Sequence, residues 1–388
     1  MNWSDRSLLE SRRAPVSVLV TAIGGVGYGE QILKALQLAG GYRIVGADSS
    51  RDCANFALVD HAVTLPKASD PDYIDALLDV AYGFGVDAIF SGCEPELRVV
   101  SAQRERVERA GFLAPLNPRS VIDTCMDKRA TARFLEAAGL PGPRSAELTS
   151  LDDLYQIDWF PVVVKPAVGG GGSVDCHIAQ TPRELRYLAE LLDLGSRSMM
   201  VQEYVGRPED EYTVGVLHDL DGAFINSIAV RRELDGALNA RLRVANRTGR
   251  QELSDSLVIS SGVSHGYIGP YPEVTGPCER LAAALGVRGA VNIQCRLVDG
   301  AVRVFEINPR FSGTTSLRAM VGYNEPDVLL RRHVLGETVP TRFAYRSARI
   351  HRSLVEKFVP DPTQNWSWAE IKSMLVYLAG MMPMQCGV

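Results

Sequence analysis

Two short stretches carry oxygen donors at alternating positions: Asn292-Ile293-Gln294, and Glu306-Ile307-Asn308-Pro309-Arg310. In a strand, alternate side chains share one face. A carboxylate with amide oxygens on such a face suits a hard divalent cation bridging phosphates. Register decides whether the two stretches cooperate. A two-residue turn at Asp299-Gly300 with uninterrupted pairing would set residue 293 against 306 and leave Asn292 and Gln294 behind the sheet from Glu306. A three-residue loop with Gly300 as a left-handed bulge would pair 292 with 306 and gather all four groups on one side. The three-residue loop is therefore the expectation, and a two-residue loop would remove the shared site.

A second group of residues suits an anion. Lys165 ends the apolar run Val162-Val163-Val164, and Gly169-Gly170-Gly171-Gly172-Ser173 follows shortly after. Consecutive glycines bring bare backbone N–H groups close to a phosphate. No Gly-Lys-Ser/Thr completes a Walker A loop, and a solvated lysine before a flexible hairpin is the plain alternative. Further on, Met199-Met200-Val201-Gln202-Glu203-Tyr204-Val205 is an apolar run ending in an acid, as a purine slot requires. Glu211 then opens the next strand, where its carboxylate could accept ribose hydroxyls. Either acid taken alone could equally be a solvated charge.

The elements that position these groups read as two styles. Near the N-terminus strand and helix alternate: Val16–Thr21, a helix to Ala39, Tyr42–Ala47, a helix at Tyr73–Tyr82, Val86–Phe90 and a helix at Glu96–Ala110. Such alternation implies a parallel sheet covered by helices. The turn Gly24–Gly29 and Asp48 invite a dinucleotide reading, but residue 30 is Glu where G-x-G-x-x-G needs glycine. Ser91-Gly92-Cys93-Glu94-Pro95-Glu96 follows a strand end, where Glu94 or Glu96 could receive an amino group or merely complement a helix dipole. A helix is expected over Asp123–Ala138, capped by Asp123 or Thr124. After it the pattern changes to strands at Val174–Ala179, Met199–Glu203, Tyr212–His218, Ala223–Val230, Ala290–Leu297 and Val302–Ile307. Arg241, Arg243, Arg247 and Arg250 suit either a carboxylate-binding region or a solvated face.

Composition excludes other classes. The net charge of −5 over 388 residues argues against a nucleic-acid surface. Seven scattered cysteines with no C-x-x-C pair fit reduced thiols in a cytoplasmic protein. Met1–Arg13 has no apolar core and is not expected to be a signal peptide. Met374–Val388 is too short and too interrupted to span a bilayer, and a final docked helix is expected there.

The lysine, Gly-rich hairpin, Gln-Glu-Tyr-Val hinge, Asn-x-Gln and Glu-x-Asn-Pro-Arg, in this order, resemble the ATP-grasp superfamily. The likeness is to single-copy carboxylate–amine ligases and to one synthetase half of carbamoyl phosphate synthetase large chains. It implies an α/β and α+β architecture: a Rossmann-like pre-ATP-grasp domain over 1–120, a linking helix over 121–145, a lid over 146–206, a metal-bearing catalytic subdomain over 207–345 and a tail over 346–388. By the same resemblance, Lys128 and Lys165 would meet ATP phosphates or base, and Gly170, Gly171, Gly172 and Ser173 would close over the phosphates. Glu203, Tyr204 and Val205 would form the adenine hinge, and Glu211 would bind ribose. Gln294, Glu306 and Asn308 would hold Mg²⁺, two ions being expected and Mn²⁺ able to substitute. Asn292 and Arg310 would act on the reacting groups, Arg310 by steadying the transferring phosphoryl group.

The implied reaction is ADP-forming: a carboxylate becomes an acyl phosphate and an amine attacks it. Small-molecule carboxylate and amine substrates are implied, with no nucleic-acid or membrane partner, and a homodimer as the family-level expectation. Carboxyphosphate or carbamoyl chemistry from bicarbonate is the alternative within the superfamily. A nicotinamide oxidoreductase and a nucleotide-binding regulator without turnover are the alternatives outside it. Only one synthetase half fits within this length, which disfavours two chained phosphorylations.

Overall fold

The computed structural model describes residues 15–354, apart from Val26, Pro141, Gly170 and residues 193–197. Met1–Arg13, Gly170, Cys386 and the expected helix at Met374–Val388 lie outside the described residues. Contacts group the chain into one unit reaching Arg352 and a second unit over 353–388.

The first region alternates as expected. Strand β1 (Val16–Val20) leads to α1 (Tyr28–Ala39), β2 (Tyr42–Asp48), β3 (His61–Thr64), α2 (Tyr73–Phe84) and β4 (Ala88–Phe90). The four strands are parallel in the order β3-β2-β1-β4. That order places a switch point between β1 and β4, where ligands collect beyond the carboxyl ends of parallel strands. The helix expected over 96–110 is two, α3 (Glu94–Ala102) and α4 (Arg104–Arg109). Asp48 accepts from the Gly24 and Ser50 N–H groups at 2.8 and 2.9 Å. It shapes a turn rather than offering free oxygens to a ribose.

The single helix expected over 123–138 is also two, α5 (Arg119–Met126) and α6 (Lys128–Ala137). Asp127 is the better cap: its side chain accepts from the Arg129 and Ala130 N–H groups. The break puts Lys128 at the first residue of α6.

A small antiparallel sheet follows, built from β5 (Ser145–Leu148), β6 (Val162–Pro166), β7 (His177–Ala179) and β8 (Met199–Glu203) in the order β5-β8-β6-β7. Helix α7 (Pro182–Leu191) covers it through Leu185 and Ala189.

The large sheet contains β9 (Glu211–His218), β10 (Phe224–Arg232), β13 (Gly266–Gly269), β14 (Ala290–Val298), β15 (Ala301–Asn308) and β16 (Ala348–Ile350). Its order is β15-β14-β9-β10-β13-β16. Between β10 and β13 the chain makes a separate hairpin, β11 (Ala240–Ala245) with β12 (Ser256–Ser260). Helix α8 (Pro272–Leu285) packs on one face of the large sheet. Helices α9 (Thr315–Met320) and α10 (Glu325–His333) carry the chain back toward α1. The boundary expected at residue 345 needs correcting, because β16 beyond it is the edge strand of this sheet, paired with β13. Among the described residues no cysteine pair forms a disulfide and no helix is long and apolar enough to cross a membrane.

Candidate active site

The β14–β15 hairpin decides the site, and its loop is not the expected one. Val298 pairs with Ala301, so Asp299-Gly300 is a two-residue turn with φ of 50° and 74°. Positive φ at both positions matches the strand twist, which favours this short turn. From there Leu297 pairs with Val302, Arg296 with Arg303 and Cys295 with Val304. The register then shifts, and Gln294 pairs with Glu306 and Asn292 with Asn308. Phe305 is the extra residue of a β-bulge. The bulge restores the parity that the two-residue turn would have lost. Asn292, Gln294, Glu306 and Asn308 therefore share one face, with pairing partners other than those expected.

Strand β9 extends this face, since Arg296 pairs with Glu211, Gln294 with Thr213 and Asn292 with Gly215. Gln294 donates to Glu306 at 2.7 Å and accepts from Arg232 at 3.4 Å. The oxygen set fits Mg²⁺, since Glu306 offers a carboxylate and Asn308 and Gln294 offer amide oxygens, all hard donors. Asn308 also accepts from Arg310 Nη2 at 3.1 Å.

Asn292 stands slightly apart. Its carbonyl oxygen accepts from Thr213 at 2.8 Å and from Arg318 Nη2 at 2.6 Å. Arg318 is fully buried and is balanced by Glu325 at 3.1 Å. Gly215 carries no side chain because the Arg318 guanidinium occupies the space a Cβ would fill. Asn292 is thus the wall end of a buried network, with its carbonyl oxygen committed inward.

Lys165 reaches the same place from the small sheet. Its ammonium donates to Gln202 at 2.7 Å and to the carbonyl of Phe305, the bulge residue, at 3.1 Å. Burial lowers its pKa to about 8, the charge of Glu306 works against that shift, and Lys128 adds to it. Lys128 donates to the Gly169 carbonyl at 2.6 Å, tying the start of α6 to the Gly-rich loop. Gly171 and Gly172 continue that loop, Gly172 in the left-handed region at a φ of 69°, and Ser173 ends it by donating to the Ser260 carbonyl at 2.7 Å.

The hinge residues are held from behind. The Glu203 and Tyr204 N–H groups donate to the carbonyls of Arg144 and Pro161. The Tyr204 hydroxyl accepts from Val258 N–H at 2.8 Å, and the Val205 carbonyl accepts from Arg296 at 3.1 Å. Glu203 lies 3.7 Å from Arg250. Glu203, Tyr204 and Val205, with Val163, Ile259 and Phe305, line a slot between the two sheets.

Glu211 departs furthest from expectation. It is buried, with one oxygen on Arg232 at 3.2 Å and the other on Arg296 at 2.9 Å. The Arg296 guanidinium also stacks over Tyr204 at 4.5 Å. A carboxylate so engaged does not lie open as a ribose acceptor; it neutralises two buried cations and fixes the hinge.

Arg310 looks the other way, toward the N-terminal sheet. It donates to Glu94 at 2.8 Å and stacks over Tyr28 at 4.6 Å. Burial pushes the Glu94 carboxyl up, but Arg310 beside it, helped by Lys128 and Arg98, holds it below the usual carboxylate range. Glu94 thus joins the switch point of the parallel sheet to the large sheet. Glu96 is buried against Thr21 and the Gly92 N–H, and burial raises its pKa. Of the four arginines noted between 241 and 250, Arg241 lines the same cleft as Arg310. Arg247 and Arg250 form ion pairs with Glu184 and Glu252, and Arg243 donates to the Leu234 carbonyl.

Sequence reasoning placed Gln202 in the hinge motif without giving it a contact, and passed over Arg232, Arg296 and Arg318. Arg296 carried a visible signal, standing two residues from Gln294 on the same strand face. Arg232 and Arg318 gave none, because their partners are set by register between distant strands.

Residues 195–353 match the family model described as ATP-grasp in the biosynthetic pathway with Ter operon. Residues 18–114 match that of the PylC-like N-terminal domain. Over residues 195–353 the chain is thus similar to ATP-grasp proteins, and that stretch carries the large sheet with its oxygen face. The carbamoyl phosphate synthase large chain of Renibacterium salmoninarum is 24% identical over 200 residues, 51% of this chain and 17% of that protein. That of Archaeoglobus fulgidus is 28% identical over 197 residues, 50% of this chain and again 17% of that protein. The match thus spans about a sixth of the length of these relatives. Among solved structures, N5-carboxyaminoimidazole synthetase from Staphylococcus aureus complexed with ADP superposes with a TM-score of 0.62 at 14% identity, covering 86% of this chain and 81% of that one. The L-amino acid ligase from Bacillus licheniformis gives 0.58 at 16% identity, covering 83% and 74%. Both likenesses are of fold.

Proposed function

We propose that the protein is an ATP- and Mg²⁺-dependent ligase that phosphorylates a small carboxylate and couples the acyl phosphate to an amine, releasing ADP and phosphate. The observation that carries the reading is the bulged register of the β14–β15 hairpin, which sets Gln294, Glu306 and Asn308 on one face within reach of Lys165 and Arg310.

In this reading the adenine enters the slot beside Glu203, Tyr204 and Val205. Lys165, Lys128 and the 169–173 loop hold the phosphates. Glu306, Asn308 and Gln294 would hold magnesium, whose charge would neutralise the β- and γ-phosphate oxygens. Arg310 leaves Glu94 for the transferring phosphoryl group and steadies its equatorial charge. The carboxylate oxygen forms its bond to phosphorus as the bond to ADP breaks. The amine then attacks the acyl carbon and phosphate leaves. The chain's own contribution is positioning and charge balance. Tyr28, Glu94 and Arg241 line the space left for the acceptor.

The match to carbamoyl phosphate synthase large chains favours a second reading, phosphorylation of bicarbonate. One assay separates the two. The protein is incubated with Mg-ATP and pools of carboxylates and amines, or with bicarbonate, and ADP, AMP, phosphate and coupled product are measured. Release of ADP and phosphate that needs both a carboxylate and an amine supports the ligase. Release that needs bicarbonate moves the assignment to carboxyphosphate chemistry. AMP and pyrophosphate would overturn both, and binding without turnover would mark a regulator.

A further inference from the structure

We propose that Glu233, His265 and His351 form a binding site for a divalent transition-metal ion of the Zn²⁺ class, on the face of the large sheet turned away from the nucleotide cleft.

The placement follows from register. Arg232 pairs with Gly266, and Gly266 pairs with Ile350. One step further along the same antiparallel pairings sets Glu233 against His265 and His265 against His351. The Glu233 N–H donates to the His265 carbonyl at 3.1 Å, continuing the β10–β13 ladder by that step. The two imidazole rings lie 5.4 Å apart. One ligand atom from each of the three residues falls within 4.8 Å of the others. Consecutive rungs face opposite sides of a sheet. Arg232, in the rung before, turns into the cleft to meet Glu211, so this rung belongs to the other side.

The chemistry selects the ion. Two imidazoles and one carboxylate suit Zn²⁺ and its neighbours better than Mg²⁺, and three protein ligands leave a fourth position for water. His265 Nδ1 is buried and has no hydrogen-bond partner. On the far side of the ring, Nε2 lies 2.6 Å from the Asn239 amide, whose own Oδ1 is also buried and unpartnered. Glu233 now pairs with Arg349 at 2.9 Å, with side chains 28% and 58% exposed. An ion pair that open contributes little and exchanges readily. The ion would tie β16, a three-residue edge strand, to β13 and β10.

The test titrates the chelator-treated full chain with Zn²⁺, and with Co²⁺ as a spectroscopic probe, in buffer saturated with Mg²⁺. One ion binds per chain at micromolar or lower concentration, Co²⁺ gives visible bands of imidazole–oxygen coordination, and the melting temperature rises with Zn²⁺. His351→Ala, at an exposed position, and Glu233→Gln each weaken uptake by at least about tenfold. Arg349→Gln strengthens it by removing the competitor for Glu233. Glu306→Ala leaves it unchanged, which separates this site from the nucleotide metals and from the proposed ligase reading. No uptake, uptake unaltered in His351→Ala, or uptake abolished in Glu306→Ala would overturn the proposal.

Discussion

The two faces of the large sheet use the same strands and differ only in which alternate residues they take. One face presents Tyr212, Val214, Val216, Val291, Ile293, Cys295 and Ile307 to Val274, Cys278 and Leu281 of α8. The other presents Glu211, Thr213, Arg232, Gln294, Arg296, Glu306 and Asn308 to the cleft. The apolar face stabilises by removing area from water, which tolerates small shifts of position. The polar face depends on which oxygen meets which cation, and a shift of one residue would exchange the faces. The bulge at Phe305 lets both demands hold on β15, because Val302, Val304 and Ile307 all reach the core while Glu306 and Asn308 reach the cleft. Its carbonyl also receives Lys165, so the irregular residue serves the site directly.

Substitutions on the two faces should therefore separate activity from stability. The largest effect is expected from Glu306→Ala, which removes the one carboxylate of the oxygen set. Nucleotide-dependent turnover falls by at least about a hundredfold while the urea midpoint hardly moves, because the side chain is only half-buried. A variant with turnover near wild type would remove Glu306 from the site. Behind it, Ile293→Ala empties part of a fully buried position on the apolar face. A loss of about 2–5 kcal/mol in urea unfolding is expected, with nucleotide affinity retained by the folded fraction. The comparison breaks if this variant loses nucleotide binding while keeping its stability.

Lys165→Met combines both readouts. Burial holds the Lys165 pKa near 8 in the folded chain, against 10.5 for an ordinary lysine. The unfolded chain thus binds the extra proton more readily between these values, so stability rises with pH across that window and the cost of burying the charge is full below about pH 8. The variant is expected to melt higher than wild type without nucleotide at pH 7, to lose that advantage toward pH 10.5 and to bind nucleotide more weakly. A melting difference that does not change with pH would contradict the burial argument. The smallest effect belongs to Glu94→Gln. Arg310 keeps its bond to Asn308 and its stack on Tyr28. A few-fold change in KM for the carboxylate or the amine is expected, with kcat nearly constant; an effect as large as that of Glu306→Ala would place Glu94 at the reacting atoms.

The strands that carry chemistry were legible in the sequence because alternation and apolar runs mark them: Met199–Glu203 stands where its pattern put it, and β14 and β15 differ only at their ends. The loop between β14 and β15 was misread because pairing was assumed to run without interruption. The contrary signal lay in the same residues, since Val302 and Val304 share one parity and Ile307 has the other. The break at Asp127 was missed because Asp123 and Thr124 are equally good cap types, and only the bonds to Arg129 and Ala130 distinguish them. Glu211 looked like an open acid because its cations, Arg232 and Arg296, lie on other strands and meet it only through the register of three. Strand β16 has three residues and little pattern of its own, and pairing with β13 defines it.

The central claim is that the bulged hairpin builds one oxygen face for the metal that accompanies the nucleotide. A crystal structure with a non-hydrolysable ATP analogue and Mn²⁺, read by anomalous scattering, tests it most directly. Manganese is expected between Glu306, Asn308 and the β- and γ-phosphates, with Lys165 on the phosphates and the adenine beside Glu203. Nucleotide bound with manganese away from Glu306 and Asn308, or phosphates on the opposite face of β15, would contradict the account.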